Sequence, residues 1–126
     1  MHVLLFSDDL LFSSQVEGAA RRAGHDFSQC RKVNLLLQQA ASGPCVVLLD
    51  LSSGVVNLSE IVPQLNTSSS PPLAVIAFGP HVHADRLSQA QQLGCSEVMA
   101  RGQFHRALPT LFQRWKSDTA SDVGCE

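Results

Sequence analysis

Apolar residues along this chain fall into two kinds of run that alternate with each other. Short continuous runs occur at 2–6 (HVLLF), 45–50 (CVVLLD) and 73–78 (LAVIAF), with weaker ones at 25–33 and 96–100. Between these runs, apolar residues recur at intervals of three and four. The continuous runs predict strands that are buried on both faces, and the spaced runs predict amphipathic helices.

The first predicted helix shows the pattern most clearly. It follows Ser7-Asp8-Asp9, whose side chains suit an N-cap, and Gly24 is a natural C-terminal stop. Ser13, Glu17 and Arg21 are expected on its solvent face. The residues expected on its core face are Phe12, Val16, Ala19, Ala20 and Ala23.

The later helices are expected near residues 36–41, 58–65, 84–93 and 104–115. Two of them contain a proline, Pro63 in one and Pro109 in the other. Because proline lacks an amide donor and its ring obstructs the preceding turn, each is expected to kink or shorten its helix.

Five strands alternating with helices predict an α/β fold with a doubly wound, five-stranded parallel sheet. Right-handed crossovers leave few possible strand orders for such a sheet. Residues 1–116 are expected to form one domain, followed by a disordered tail over 117–126. The tail also suits the start of a linker in a longer protein.

Composition and charge exclude several classes of function. The formal net charge is -2, so the chain lacks the basic surface expected of proteins that bind nucleic acid or anionic membranes. No apolar run has the length of a membrane span, and the first residues do not resemble a secretory signal. The four cysteines form no metal-binding pattern and are expected to be free thiols in a reducing cytoplasm.

Residues with useful chemistry follow four of the predicted strands. Asp8 and Asp9 follow the first strand, and Asp50 ends the third. Gly79 and Arg101 follow the fourth and the fifth. Parallel strands bring such residues to one edge of the sheet, where carboxylates bind Mg²⁺ or accept a phosphoryl group. The simpler alternative is that each acid only caps a helix or accepts bonds from loop amides.

The chain resembles the receiver domain of bacterial two-component response regulators over residues 2 to about 115. HVLLFSDD resembles the first strand and its acidic pair, and VVLLDLSS resembles the third strand with its phosphoacceptor, Asp50. LAVIAFGPH resembles the fourth strand and its switch loop. LGCSEVMARGQF resembles the turn, fifth strand and basic residue that follow. The resemblance implies a flavodoxin-like, CheY-like fold with strand order 2-1-3-4-5 and a role in phosphorelay signalling.

The sequence departs from the usual receiver pattern at the positions that carry the chemistry. Ser7 replaces the first of the two acids, and Gly79 replaces the Thr or Ser that bonds the phosphoryl group. Arg101 replaces a Lys, and Val98 lies at the aromatic switch position. These departures resemble those of atypical receivers, or pseudo-receivers, which act through protein–protein interaction without the usual phosphorylation switch.

The resemblance therefore implies a stand-alone, cytoplasmic, bacterial signalling domain without an attached output domain. It is not an enzyme, beyond at most a self-catalysed phosphoryl transfer to Asp50. The alternative is a conventional response regulator phosphorylated on Asp50 with Mg²⁺. Any Mg²⁺ is expected to bind weakly, through Asp8, Asp50 and the backbone of Ser52, with Asp9 as a further ligand, and Arg101 is expected to contact phosphate.

Other signalling proteins, either a histidine kinase or a downstream effector, are the implied partners. Nucleic acid and membranes are not expected as partners, whereas weak homodimerisation is expected. In receivers, the surface formed by the fourth helix, fifth strand and fifth helix usually binds partners. Its candidate residues here are Arg86, Gln89, Gln92, Val98, Met99, Phe104, His105 and Arg106.

Overall fold

A computed structural model describes residues 1–52 and 56–115 of the chain. Its strands are β1 His2–Phe6, β2 Asp26–Cys30, β3 Cys45–Asp50, β4 Ala74–Gly79 and β5 Glu97–Ala100. Its helices are α1 Leu10–Arg22, α2 Val33–Ala40, α3 Leu58–Asn66, α4 Ala84–Gln92 and α5 Arg101–Leu111. The tail predicted over 117–126 lies outside the described residues.

All five strands are parallel and follow the order β2-β1-β3-β4-β5, so the predicted fold class is confirmed. Every residue of β3 and β4 is buried, because helices cover both faces of the sheet. In β2 only Cys30 is buried, which agrees with the prediction of a weak edge strand. The continuous apolar runs therefore mark the central strands.

The core is divided by the sheet into two layers. Successive residues of a strand point to opposite faces, so Val3 and Leu5 pack with α1 and α5, while Leu4 and Phe6 pack on the other side. The layer under α1 and α5 contains three aromatic rings in mutual contact, those of Phe12, Phe78 and Phe104. The other layer lies under α2, α3 and α4.

Two details of the helices differ from the predictions. Ser13, predicted to face solvent, is buried, because the intervals of three and four that link it to Val16 and Ala20 place it on the core face of α1. Pro63 lies inside α3 without shortening it. Pro63 and Ser59 are both exposed, so the Ser59 carbonyl that loses its helical donor lies where water reaches it.

The last helix also has different bounds from those predicted. It begins at Arg101, directly after β5, and ends at Leu111, two residues after Pro109. Cys30, Cys45 and Cys95 are free thiols, as predicted. None of the helices in the described part of the chain is both long and apolar enough to cross a membrane.

Candidate functional site

The predicted site residues meet at the carboxyl edge of the parallel sheet. Ser7 follows β1, while Asp50 and Gly79 are the last residues of β3 and β4. The register pairs Asp50 with Phe78, next to Gly79, and this brings the three strand ends side by side. Arg101, the first residue of α5, completes the cluster.

Asp50 is a buried carboxylate with hydrogen bonds on both oxygens. Its residue is only 1% exposed. The Ser7 hydroxyl donates to Oδ2 at 2.7 Å, and Ser52 donates to Oδ1 through its amide at 3.0 Å and its hydroxyl at 2.6 Å. Such donors offset the cost of removing a carboxylate from water. Asp50 is therefore held firmly by groups of its own chain.

Ser7 connects the two acids that lie on either side of it. Its hydroxyl donates to Asp50 and accepts the Asp9 amide at 3.1 Å. Asp9 is the N-cap of α1, where its Oδ1 accepts the Phe12 amide at 3.0 Å. The predicted capping role is thus filled by Asp9, while Asp8 lies on an exposed bend.

Arg101 reaches across the cluster from the start of α5. Its Nη2 lies 3.4 Å from Asp9 Oδ2, and its Nη1 lies 3.3 Å from the Ser52 hydroxyl and 3.9 Å from Asp50 Oδ1. The guanidinium also lies over the Phe12 ring, 4.6 Å from its centroid. Arg101 therefore bridges the acids that follow β1 and end β3.

The end of β4 is closely packed against the residue after Asp50. A Cβ atom placed on Gly79 would lie 2.9 Å from the Leu51 Cβ, which is closer than such atoms pack. Leu51 is fully buried, and its amide donates to the Phe78 carbonyl at 2.8 Å. Gly79 is therefore required by the close approach of Leu51, in addition to leaving the end of β4 without a hydroxyl.

Among the predicted partner-binding residues, two from α4 are engaged within the chain. Arg86 donates to the Val56 carbonyl at 3.0 Å, and Gln89 donates to the Ser59 hydroxyl at 3.1 Å. Both contacts connect α4 to the start of α3. These side chains are thus directed away from α5.

Phe104 has a different place from the one predicted. It is fully buried and stacks on Phe78, with ring centroids 4.1 Å apart, because the spacing of Phe104 and Leu108 turns both toward the core. This corrects its placement among the surface residues. Val98 is half-buried and packs in the layer under α4, and Arg106 is exposed.

Three contributions to the site were missed by sequence reasoning. The Ser7 hydroxyl bonds Asp50, where only a lost acid was expected, and the Phe12 ring supports Arg101. Leu51 fills the space beside Gly79. In the sequence, this packing was indicated only by the apolar Leu51 directly after Asp50.

Comparisons with known proteins identify the fold. No protein-family model and no curated protein matches the chain. Among solved structures, the receiver domain of a sensor histidine kinase from Pseudomonas aeruginosa matches with a TM-score of 0.73 at 16% identity, over 92% of this chain and 97% of that one. The chain has the receiver-domain fold. A chemotaxis response regulator of Vibrio cholerae also matches, with a TM-score of 0.70 at 16% identity, over 90% of this chain and 96% of that one.

Some of the similar receiver structures contain ions at their sites. The Pseudomonas receiver holds a magnesium ion coordinated in its active-site cleft. A response regulator from Burkholderia pseudomallei, with a TM-score of 0.69 at 17% identity over 98% of this chain and 72% of that one, has a phosphorylated aspartic acid, a calcium ion and citrate. These ligands belong to those proteins, and the low identity limits the comparison to the fold.

Proposed function

We propose that this chain is an atypical receiver module that acts mainly through protein–protein interaction and whose phosphorylation site is degenerate. The observation that carries the proposal is the close approach of Leu51 to Gly79. A hydroxyl residue at the end of β4 would couple a phosphoryl group to a conformational change. Because Leu51 fills that space, such a residue is both absent and sterically opposed here.

The surroundings of Asp50 support the same proposal. A carboxylate acts as a nucleophile through an oxygen lone pair that is directed at the phosphorus atom. The oxygens of Asp50 already accept three hydrogen bonds from Ser7 and Ser52, and the residue is almost fully buried. A phosphoryl donor would have to reach a buried carboxylate whose charge is already stabilised by these donors, so we expect transfer to Asp50 to be slow.

A magnesium ion fits this arrangement poorly. No group of three or more His, Cys, Asp or Glu side chains suited to a metal ion is found among residues 1–52 and 56–115. Ser7 supplies a donor to Asp50 where a second carboxylate would supply charge, and Arg101 bridges Asp9 and Asp50. We therefore expect Mg²⁺ to bind weakly, through Asp8, Asp50 and the backbone of Ser52, with Asp9 as a further ligand.

The proposed partners are other signalling proteins, either a histidine kinase or a downstream effector, with weak homodimerisation as a further expectation. Arg106 is exposed on α5 and remains a candidate contact residue. Arg86 and Gln89 are also candidates, although any partner that used them would compete with their bonds to Val56 and Ser59. Val98 would contribute only through its exposed part.

A conventional phosphoacceptor is the second candidate function. It is favoured by Asp50 at the end of β3 with the Arg101 guanidinium 3.9 Å away, since a positive charge there would bind a phosphate. On this alternative Arg101 contacts the phosphoryl group.

Intact mass after incubation with acetyl phosphate and magnesium separates the two functions. The Asp50→Ala variant is the control, because it removes the one proposed acceptor. We expect no labile phosphoryl adduct on the wild-type chain. An adduct on the wild-type chain that is absent from Asp50→Ala would establish the conventional function instead.

A further inference from the structure

We infer that the Arg101 guanidinium is a resident counter-cation that takes the place of a divalent metal ion between the acids of the site. The inference rests on the proposed function, because it concerns the same degenerate site. It would explain how the negative charges of Asp9 and Asp50 are balanced where both face the same guanidinium.

The two terminal nitrogens of the guanidinium contact different secondary-structure elements. Nη2 is directed at Asp9, the cap of α1, at 3.4 Å. Nη1 is directed at the end of β3, where the Ser52 hydroxyl lies at 3.3 Å and Asp50 Oδ1 at 3.9 Å. A planar fork with several donors can join two acids in this way, whereas the compact ammonium of a lysine reaches them as a single point.

The core holds Arg101 in this position from below. Its guanidinium lies 4.6 Å from the centroid of Phe12, which is buried against the rings of Phe78 and Phe104. The side chain is 35% exposed, so part of its charge is shielded from water. The cation is therefore placed by the packing of α1 and β4 and needs no metal to order it.

A divalent ion would compete with Arg101 for the same oxygens. Magnesium takes carboxylate oxygens at about 2.1 Å and calcium at about 2.3–2.6 Å. Asp9 Oδ2 and Asp50 Oδ1 both face the guanidinium. A metal ion bound to these oxygens would lie close to the guanidinium, and the two positive charges would repel each other strongly. Removal of the guanidinium should therefore convert the cluster from one that binds divalent ions weakly into one that binds them more tightly.

The test uses Mn²⁺ alone as a paramagnetic probe and ¹⁵N-labelled protein. We expect Mn²⁺ to broaden the amide signals of Asp9, Asp50 and Ser52 in Arg101→Gln at a concentration at least about tenfold lower than in the wild-type chain. Arg106→Gln is the matched control, because it removes an exposed arginine of the same helix and changes the net charge equally. It should respond to Mn²⁺ as the wild type does.

Equal broadening in the wild type and in Arg101→Gln would overturn the inference, as would equal gains in Arg101→Gln and Arg106→Gln. If Arg101→Gln does not fold without a cation, the wild-type chain decides alone. Its Arg101 Nε–H signal should keep its position at millimolar magnesium, and a selective shift there would refute the role. No phosphodonor is present in this test, so its result is independent of the acetyl phosphate experiment. A labile adduct on Asp50 in that experiment would count against the proposed function, and the Mn²⁺ result would still decide this inference.

Discussion

Gly79→Ala is expected to destabilise the fold, because the end of β4 has no space for a methyl group. The added Cβ would lie 2.9 Å from the Leu51 Cβ, whereas carbon atoms pack at about 3.5–4.0 Å. Neither residue can move easily. Gly79 is paired with Ala100 in the sheet, and Leu51 is buried and bonded through its amide to Phe78.

The expected magnitude follows from two opposing effects. Overpacking of a buried site costs about 1–3 kcal/mol. Replacing a strand glycine by alanine returns about 0.5–1 kcal/mol, because the unfolded chain loses conformational freedom. With the middle of each range, the free energy of unfolding of Gly79→Ala should be lower than that of the wild type by about 1 kcal/mol, and Gly79→Thr should lose more.

Urea unfolding followed by far-ultraviolet circular dichroism would measure this loss. Gly43→Ala is the matched control, since nothing lies within 4 Å of its added Cβ and the change should not destabilise the fold, with a gain of up to about 1 kcal/mol from the less flexible unfolded chain. A double-mutant cycle identifies the contact. Leu51→Gly should reduce the cost of Gly79→Ala, whereas Leu51→Ala should not, because alanine keeps the clashing Cβ.

Two results would show that Leu51 does not exclude a side chain at position 79. Gly79→Ala could be as stable as the wild type, which would mean that the strand end has room for a side chain. Its cost could also be the same in the Leu51→Gly background, which would mean that Leu51 is not the obstacle. In either case the close approach would no longer explain why the end of β4 lacks a hydroxyl residue.

Three further predictions concern the site, the core and the thiols. Ser7→Ala should lower the free energy of unfolding in urea by about 1–3 kcal/mol, because buried Asp50 loses a donor; a loss no larger than that of exposed Ser14→Ala would contradict this. Phe104→Ala should cost about 3–5 kcal/mol, seen as a lower Tm, and an unchanged Tm would place the ring outside the core. Burial raises the pKa of Cys95 to about 11, so at pH 8 its thiolate is about a hundredfold less abundant than the thiolate of a cysteine with a pKa of 9.0. Its reaction with an aromatic disulfide, measured in a variant that keeps Cys95 as its one cysteine, should be slow at pH 8 and accelerate as pH rises; a rate independent of pH would be inconsistent with this.

The sheet could be predicted from the sequence because its central strands are continuous apolar runs. A strand that is buried on both faces must be apolar at nearly every position, and CVVLLD and LAVIAF have this composition. The meeting of Asp50, Gly79 and Arg101 then follows from the parallel order of the strands. These features depend on local pattern and topology alone.

The contacts within the site could not be predicted in the same way. The approach of Leu51 to Gly79 depends on how the chain turns after β3, which no periodicity encodes. The bridging position of Arg101 depends on α5 beginning at that residue and on the ring of Phe12 beneath it. Phe104 was misplaced because the receiver resemblance put it among the partner-binding residues, although its spacing with Leu108 already indicated the core face of α5.

The proposed function requires that phosphorylation conditions do not switch this domain. Amide NMR spectra of ¹⁵N-labelled protein before and after addition of acetyl phosphate and magnesium would test this. A switch requires a ligand that binds two states differently. We predict that the signals of Glu97–Ala100 and of α5 keep their positions. Shifts across these elements in the wild type that disappear in Asp50→Ala would contradict the account.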